Sequence, residues 1–245
     1  MNRTSITGLA CLLAVALTAC AGGGAPPAPS GSPASAPLEA LKEPANSMSV
    51  SPPLSPAPVS AEALAAYRAL LAGEPGALDR PPEGLELHQV TLPPAEELEY
   101  VLLDLDGDGG AELVVQMVAQ PHQFNAVFHY GDGELSCWQY DIMEMSCRDY
   151  PLGDGAMVRQ YDTGTGPNRY SNLYTVFRYL PDGETEECAS LAVHQDTQED
   201  GTEVFTYLVD DAEVDQDTFA AEFEELVGSR LLSLEDWTPA TERPG

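Results

Sequence analysis

Short β-forming runs separated by Asp-Gly turns constrain the fold of this chain more than any other feature. The turns fall at residues 131–133, 153–155, 181–183 and 200–201. Tight hairpin turns need a positive φ, which Gly adopts freely and Asp tolerates, so an Asp-Gly pair between two such runs predicts a β-hairpin. Hairpins in succession predict an antiparallel meander. The predicted strands are 85–92, the runs on both sides of residues 104–112, 126–130, 134–142, 156–162, 173–180, 187–195 and 204–209.

Two helices are predicted, one before and one after these strands. Ser60 is a suitable N-cap for a helix that ends at Gly73, and Asp215 or Asp217 caps a second helix that ends before Gly228. Apolar residues repeat at helical spacing in both segments. They are Leu64, Tyr67, Leu70 and Leu71 in the first helix, and Phe219, Phe223, Leu226 and Val227 in the second. The expected fold is therefore α+β: an antiparallel β-meander sheet with an N-terminal and a C-terminal helix packed on it.

An acidic loop lies between two apolar runs, in the sequence VLLDLDGDGGAELVVQMV. Carboxylates at alternate positions are the hard oxygen ligands that calcium prefers. We predict a structural Ca²⁺ site whose ligands are Asp104, Asp106, Asp108, the carbonyl of Gly110, and Glu112. The alternative is an acidic hairpin turn that binds nothing tightly, but carboxylates this close repel one another without a cation.

The loop departs from an EF-hand. Gly109 occupies the sixth position, as in an EF-hand, but Val115 stands at the twelfth, where a bidentate glutamate is required. The flanking segments are also strand-like rather than helical. The loop resembles the short DxDxDGxxD/E loop between strands of integrin-like, VCBS-like bacterial extracellular repeats. Because DxDGDG occurs once, a propeller built from this motif and a dockerin are excluded.

The N-terminal segment has the pattern of a lipoprotein signal peptide. Arg3 precedes an apolar run over residues 6–19, which is too short to span a membrane comfortably. The run ends in Leu17-Thr18-Ala19-Cys20, which resembles the bacterial lipobox. That resemblance implies removal of residues 1–19 and lipidation of Cys20.

Composition divides the rest of the chain. Residues 20–59 are rich in Pro, Ala, Gly and Ser and predict a disordered tether, about 100 Å long if it adopts polyproline geometry. Residues 60–236 form the predicted domain, and residues 237–245 a flexible tail. We expect a lipid-anchored protein on the extracytoplasmic face of the cell membrane, most consistent with the cell surface of a Gram-positive bacterium.

Net charge limits the partners. The 245 residues include 40 acidic and 10 basic side chains, for a formal charge of −30. Such a surface has no basic patch to replace phosphate counterions, which excludes nucleic acid as a partner. The remaining expected partners are the membrane, through the lipid on Cys20, and a surface protein or glycan.

The folded segment as a whole resembles a family of uncharacterised lipoproteins from gut-dwelling Gram-positive bacteria. The resemblance covers nearly all of residues 60–230 and implies a surface location and a calcium loop, but no activity. The segments that carry it are Ala66–Arg68, Asp104–Leu113, Tyr130–Gly133, Val158–Asp162 and Glu213–Leu226.

The sequence contains few signatures of a catalytic site. The sequence contains no HExxH, GxSxG or P-loop pattern. The four histidines are scattered without metal-ligand spacing, and we expect His129 to be a partly buried structural ring. They are His88, His122, His129 and His194. We therefore expect a non-catalytic binding or interaction module, with a hydrolase or hydrolase accessory acting on surface polymers as the alternative.

Three cysteines follow Cys20, namely Cys137, Cys147 and Cys188. An extracytoplasmic location permits disulfides. Cys137 and Cys147 either form a disulfide across a hairpin or are small buried residues.

Overall fold

The computed structural model describes residues 57–140, 147–166 and 168–244. All belong to the unit Asn46–Gly245. The predicted signal peptide, the lipidation site Cys20 and residues 20–56 of the tether lie outside the described residues. The helices are α1 (Ala61–Leu71) and α2 (Gln216–Leu226). The strands are β1 (Leu98–Leu103), β2 (Glu112–Met117), β3 (Gln120–Gly131), β4 (Glu134–Tyr140), β5 (Cys147–Pro151), β6 (Met157–Gly166), β7 (Arg169–Tyr179), β8 (Thr185–Thr197), β9 (Glu203–Val209), β10 (Ala212–Val214) and β11 (Thr238–Pro239).

Helix α1 has both predicted caps. The side chain of Ser60 accepts a hydrogen bond from the N–H of Ala63 at 3.0 Å. Gly73 has a φ of +67°, and the N–H groups of Gly73 and Glu74 donate back to carbonyls of the last turn. This pattern is a Schellman ending, which satisfies carbonyl groups that the helix leaves unpaired.

Helix α2 begins at the first of its two predicted caps. The carboxylate of Asp215 accepts a hydrogen bond from the N–H of Thr218 at 2.7 Å. The helix ends at Leu226, and a short 3₁₀ turn, Gly228–Arg230, follows it. Both caps depend on residues three positions apart, which is why the sequence alone located them.

The described strands form two antiparallel sheets rather than the single sheet expected. The first sheet has the order β11-β1-β2-β3-β4, and the second has the order β10-β9-β8-β7-β6-β5. The predicted Asp-Gly hairpin between β3 and β4 is confirmed, with a φ of +53° at Asp132 and +84° at Gly133. Helices and antiparallel strands are therefore confirmed as the fold class.

The first sheet is buried on both faces. Alternate residues of β2 belong to different cores, because successive side chains of a strand point to opposite faces. Leu113 and Val115 pack with α1 residues such as Tyr67, whereas Val114 packs with Met157 of the second sheet. The acidic loop, which joins β1 to β2, therefore starts and ends in a fully packed part of the fold.

The second sheet carries α2, and buried polar groups join it to the first sheet beside the apolar contact of Val114 and Met157. Phe219 of α2 lies 5.3 Å from Tyr207 of β9, measured between ring centroids. Asp149 of β5 is buried and accepts hydrogen bonds from Gln139 of β4 at 2.7 Å and from Arg159 of β6 at 2.6 Å. Buried polar groups need such partners, so this cluster specifies how the two sheets meet.

Two further expectations differ from the structure. Residues 85–92 were expected as a strand, but they contain a 3₁₀ helix at Leu87–Gln89, stabilised by a capping box between Glu86 and Gln89. Residues 237–245 were expected as a tail, but β11 pairs with β1, and Ala240 is only 2% exposed. Within the described residues, no helix combines the length and apolarity needed to cross a membrane.

Candidate metal centre

The acidic loop is shaped by hydrogen bonds from its own backbone to its own carboxylates. Asp104 accepts from the N–H groups of Gly107 at 2.7 Å and of Gly109 at 3.1 Å. Asp106 accepts a hydrogen bond from the N–H of Asp108 at 3.0 Å, and Asp108 accepts one from the N–H of Gly110 at 2.6 Å. Gly107 and Gly109 have φ values of +77° and +90°, which reverse the chain within a few residues. The carboxylates are therefore held in place by the turn.

Three predicted ligands lie together in this loop. One oxygen each from Asp104, Asp106 and Asp108 can be chosen so that all lie within 4.8 Å of one another. The Oδ2 atom of Asp106 is inaccessible to solvent and has no hydrogen-bond partner. Burial raises the pKa of Asp106, the hydrogen bond from the Asp108 N–H opposes that rise, and the negative charge of Asp108 adds to it. A carboxylate oxygen that is shielded from solvent and accepts no hydrogen bond has the chemistry of a cation ligand.

Glu112 is the most deeply buried predicted ligand. It is 1% exposed, and its Oε2 accepts a hydrogen bond from the N–H of Leu105 at 2.8 Å. Its Oε1 lies 2.9 Å from Nδ1 of His129. Burial raises the pKa of Glu112, although the hydrogen bonds from His129 and Leu105 oppose that rise. The carboxylate of Glu112 therefore links the loop backbone at Leu105 to His129 on β3.

His129 is the residue that sequence reasoning did not assign to the site. Burial by itself lowers the pKa of His129, but the hydrogen bond to Glu112 and the nearby negative charges outweigh burial and raise it. Those charges include Glu112 and Asp106. One possible metal-ligating atom from each of His129, Glu112 and Asp106 can also be chosen so that all three lie within 4.8 Å of one another. The strand register of the structure explains the meeting: Leu113 pairs with Phe128, so their neighbours Glu112 and His129 fall opposite each other.

Two neighbouring elements hold the loop against the domain. The hydroxyl of Tyr67 in α1 donates to the carbonyl of Ala111 at 2.8 Å, and burial raises the pKa of Tyr67, which keeps the hydroxyl protonated. Gly155, in the β5–β6 turn of the second sheet, lies so close to the carbonyl oxygen of Asp104 that a Cβ would overlap that oxygen. The loop therefore contacts both sheets and helix α1.

The β5–β6 turn, against which the acidic loop packs, is held by hydrogen bonds between charged side chains. Asp154 accepts hydrogen bonds from Arg178 at 2.9 Å and from Arg230 at 2.7 Å. Burial alone would raise the pKa of Asp154, but the hydrogen bond and charge of Arg230 outweigh burial and lower it. The turn is thereby tied to β7 and to the segment after α2.

Gly110 contributes to the loop through its N–H, which donates to Oδ1 of Asp108 at 2.6 Å. The role of the Gly110 carbonyl as a metal ligand remains a prediction, and so does the binding of Ca²⁺ to this loop. The oxygen-only set of Asp104, Asp106 and Asp108 has the chemistry that calcium requires, and the unpartnered Oδ2 of Asp106 fits such an ion.

A cleft of about 570 Å³ opens beside His129. The imidazole stacks on Trp138, with ring centroids 4.3 Å apart and an angle of 12° between the planes. The cleft lies between three chain segments, which are 80–83, 131–132 and 181–185. His129 therefore connects the acidic loop with an open cleft.

Among the described residues, Cys137, Cys147 and Cys188 carry thiols, so the disulfide considered between Cys137 and Cys147 is not formed. Cys137 is buried, and its thiol donates to the carbonyl of Gln139 at 3.1 Å. Cys188 is exposed. The reading of Cys137 as a small buried residue agrees with this placement.

Comparison of the chain with protein-family models, with curated proteins and with solved structures gives no match.

Proposed function

We propose that this protein is a lipid-anchored extracytoplasmic module that binds a surface partner and is stabilised by calcium. In this proposal Cys20 carries the lipid, residues 20–59 hold the domain away from the membrane, and the loop 104–112 binds Ca²⁺. Each terminal helix covers the outer face of one meander sheet. The ligands are Asp104, Asp106, Asp108, the Gly110 carbonyl and Glu112.

The observation that carries the calcium proposal is the buried, unpartnered Oδ2 of Asp106. Its carboxylate lies beside those of Asp104 and Asp108. Without a cation, these charges repel one another, and the partial burial of Asp106 adds a desolvation cost. A bound Ca²⁺ would offset two of these negative charges and replace their mutual repulsion by attraction to the ion, and no covalent chemistry is required of it.

The position of the loop supports a structural role for the ion. Asp104 contacts Gly155 of the second sheet, and Ala111 is bonded to Tyr67 of α1. An ion that fixes the loop would therefore strengthen the contact among three elements. Stabilisation of the whole domain, rather than opening of a helix pair, is the expected consequence.

Thermal unfolding of the full chain tests the calcium proposal. We expect saturating Ca²⁺ to raise the Tm by roughly 5–10 °C over EDTA, which corresponds to about 2–3 kcal/mol of linked binding. Asp106→Asn should abolish that rise. In EDTA the same variant should be at least as stable as wild type, because it removes a buried unpaired charge.

The matched control is Asp182→Asn. Asp182 accepts a backbone hydrogen bond from Glu184 in an Asp-Gly turn, as the loop aspartates do, but it belongs to neither ligand group found in the described residues. It should retain the calcium response. An equal response in Asp106→Asn and wild type, measured at matched ionic strength, would contradict the proposed site.

The anchoring proposal has a separate test in a Gram-positive host. Wild-type protein should partition with the membrane fraction, and Cys20→Ser should be found in the soluble or secreted fraction. Mass spectrometry of the wild-type N-terminus should show diacylglycerol on Cys20. Membrane retention of Cys20→Ser would contradict lipid anchoring.

A hydrolase acting on surface polymers is the second candidate, and the cleft beside His129 favours it. Its volume of about 570 Å³ lies in the range of small-molecule sites, and a histidine bonded to a buried carboxylate lines it. Nitrophenyl esters and glycosides are suitable probes. Turnover lost in His129→Gln but kept in His88→Gln supports this candidate, and turnover no faster than buffer contradicts it.

A further inference from the structure

Asp106 belongs to two groups of metal-ligating side chains. The first is the loop group that it forms with Asp104 and Asp108. The second consists of Asp106, Glu112 and His129, whose ligand atoms also lie within 4.8 Å of one another. The second group differs in chemistry because it contains a nitrogen donor, and it lies deeper in the domain, since Glu112 is 1% exposed.

Two atoms of the second group are close to the spacing of neighbouring ligands. Nδ1 of His129 lies 2.9 Å from Oε1 of Glu112. Two donors at about 2.1 Å from one metal ion in a tetrahedral shell are about 3.4 Å apart. The two atoms therefore need to separate by only about 0.5 Å to become adjacent ligands, while Oε2 of Glu112 remains bound to the backbone of Leu105.

The environment of the Asp106 carboxylate is a second observation, beyond the distances, that points to a cation ligand. The Oδ2 atom of Asp106 is shielded from solvent and accepts no hydrogen bond. It differs in this respect from Oδ1 of the same residue, which accepts the N–H of Asp108 at 3.0 Å. Buried carboxylate oxygens in proteins are normally paired, so Oδ2 is a donor atom available to an ion.

We propose that Asp106, Glu112 and His129 form a mixed oxygen–nitrogen site for a first-row transition ion such as Zn²⁺. Imidazole is a poor ligand for Ca²⁺ but a common ligand for zinc, and two carboxylates with one imidazole leave the fourth position of a tetrahedral shell to water. The mixed site shares Asp106 and Glu112 with the ligand set proposed for Ca²⁺, so the two ions compete for these two carboxylates, and His129 is the ligand that favours zinc. On zinc binding, Nδ1 gives up the hydrogen bond to Glu112, and the ring proton resides on Nε2.

Isothermal titration of the full chain with Zn²⁺ tests this site, together with the ¹⁵N spectrum of the imidazole rings. Wild type should bind one Zn²⁺ with a shift of the Nδ1 resonance of His129. His129→Gln should weaken binding by more than about tenfold. His88→Gln is the control, because the side chain of His88 is 76% exposed and belongs to neither ligand group.

A second pair of variants separates this inference from the calcium proposal. Asp104→Asn should reduce the Ca²⁺-dependent rise in Tm and leave Zn²⁺ affinity within about twofold, whereas His129→Gln should retain the Ca²⁺ response. Asp106→Asn should lose both the Ca²⁺-dependent rise in Tm and the binding of Zn²⁺. Circular dichroism of each variant confirms that it is folded before the titrations are compared.

Each of the remaining outcomes contradicts either the mixed site or the calcium site. Equal Zn²⁺ binding in wild type and His129→Gln, or an unshifted His129 resonance, overturns the mixed site whatever calcium does. A calcium response without Zn²⁺ binding also overturns it and leaves the calcium proposal intact. Zn²⁺ binding through His129 without a calcium response supports the mixed site and removes the calcium site.

Discussion

The backbone of Gly155 lies directly against the carbonyl oxygen of Asp104, with no space for a side chain between them. Gly155 belongs to the β5–β6 turn of the second sheet, and Asp104 begins the acidic loop of the first. The contact is possible only for glycine, which also has a φ of +83° here. The candidate metal centre is therefore supported by a turn about fifty residues away in the chain.

Replacing that glycine should damage both stability and the loop. Gly155→Ala strains the backbone by about 1–2 kcal/mol and also forces the Cβ into the Asp104 carbonyl. The control is Gly201→Ala, which has a φ of +84° but nothing within 4 Å of its Cβ. Urea denaturation should show a larger loss for Gly155→Ala, together with a weaker calcium response. Equal losses in the two variants would show that the contact contributes nothing.

The buried polar cluster between the sheets gives a second prediction. The carboxylate of Asp149 is fully buried and is bound by Arg159 at 2.6 Å. Arg159→Gln removes the positive charge and leaves a buried carboxylate, so we expect a loss of about 3 kcal/mol in the free energy of unfolding. Arg169→Gln is the control, because its pair with Asp196 is 3.8 Å long and exposed, and it should cost no more than about 0.5 kcal/mol. Thermal unfolding of the two variants provides the comparison.

The pair His129–Glu112 gives a prediction about pH in the absence of metal. The pKa of His129 is raised above its ordinary value of 6.5, so the folded protein binds this proton more tightly than the unfolded chain does. The resulting stability is fully present below pH 6.5 and is lost as pH rises through the folded-state pKa. Wild type should therefore exceed His129→Gln in stability most at about pH 5.5 and least at about pH 9.

Urea denaturation in EDTA at several pH values measures this difference. His88→Gln is the reference, because His88 is exposed and its ion pair with Glu86 spans 3.3 Å. A wild-type advantage over His129→Gln that grows with rising pH would reverse the predicted sign.

Local features of the fold were predictable from the sequence because they depend on residues a few positions apart. Ser60 and Asp215 cap helices through hydrogen bonds to residues three positions later. The Asp132-Gly133 turn takes the positive φ values that its two residues favour. The close grouping of Asp104, Asp106 and Asp108 follows from the same local turn chemistry.

The strand expected at residues 85–92 was wrong for an instructive reason. The segment contains apolar residues at 85, 87, 90 and 92, but apolar residues do not make a strand without a partner strand. Gln89 instead bonds the backbone of Glu86 at 2.7 Å, which closes a 3₁₀ turn. β-structure is decided by pairing as much as by propensity.

The sequence by itself determined the turns, the helix caps and the carboxylates of the acidic loop, since each depends on neighbouring residues. Only the tertiary structure decided that the strands divide over two sheets, that Gly155 supports Asp104, and that His129 meets Glu112. Those relationships join residues 17 to 51 positions apart through packing and hydrogen bonds, which no local pattern encodes. For the acidic loop, the sequence supplied the carboxylates, and the fold placed the half-buried histidine His129 beside Glu112.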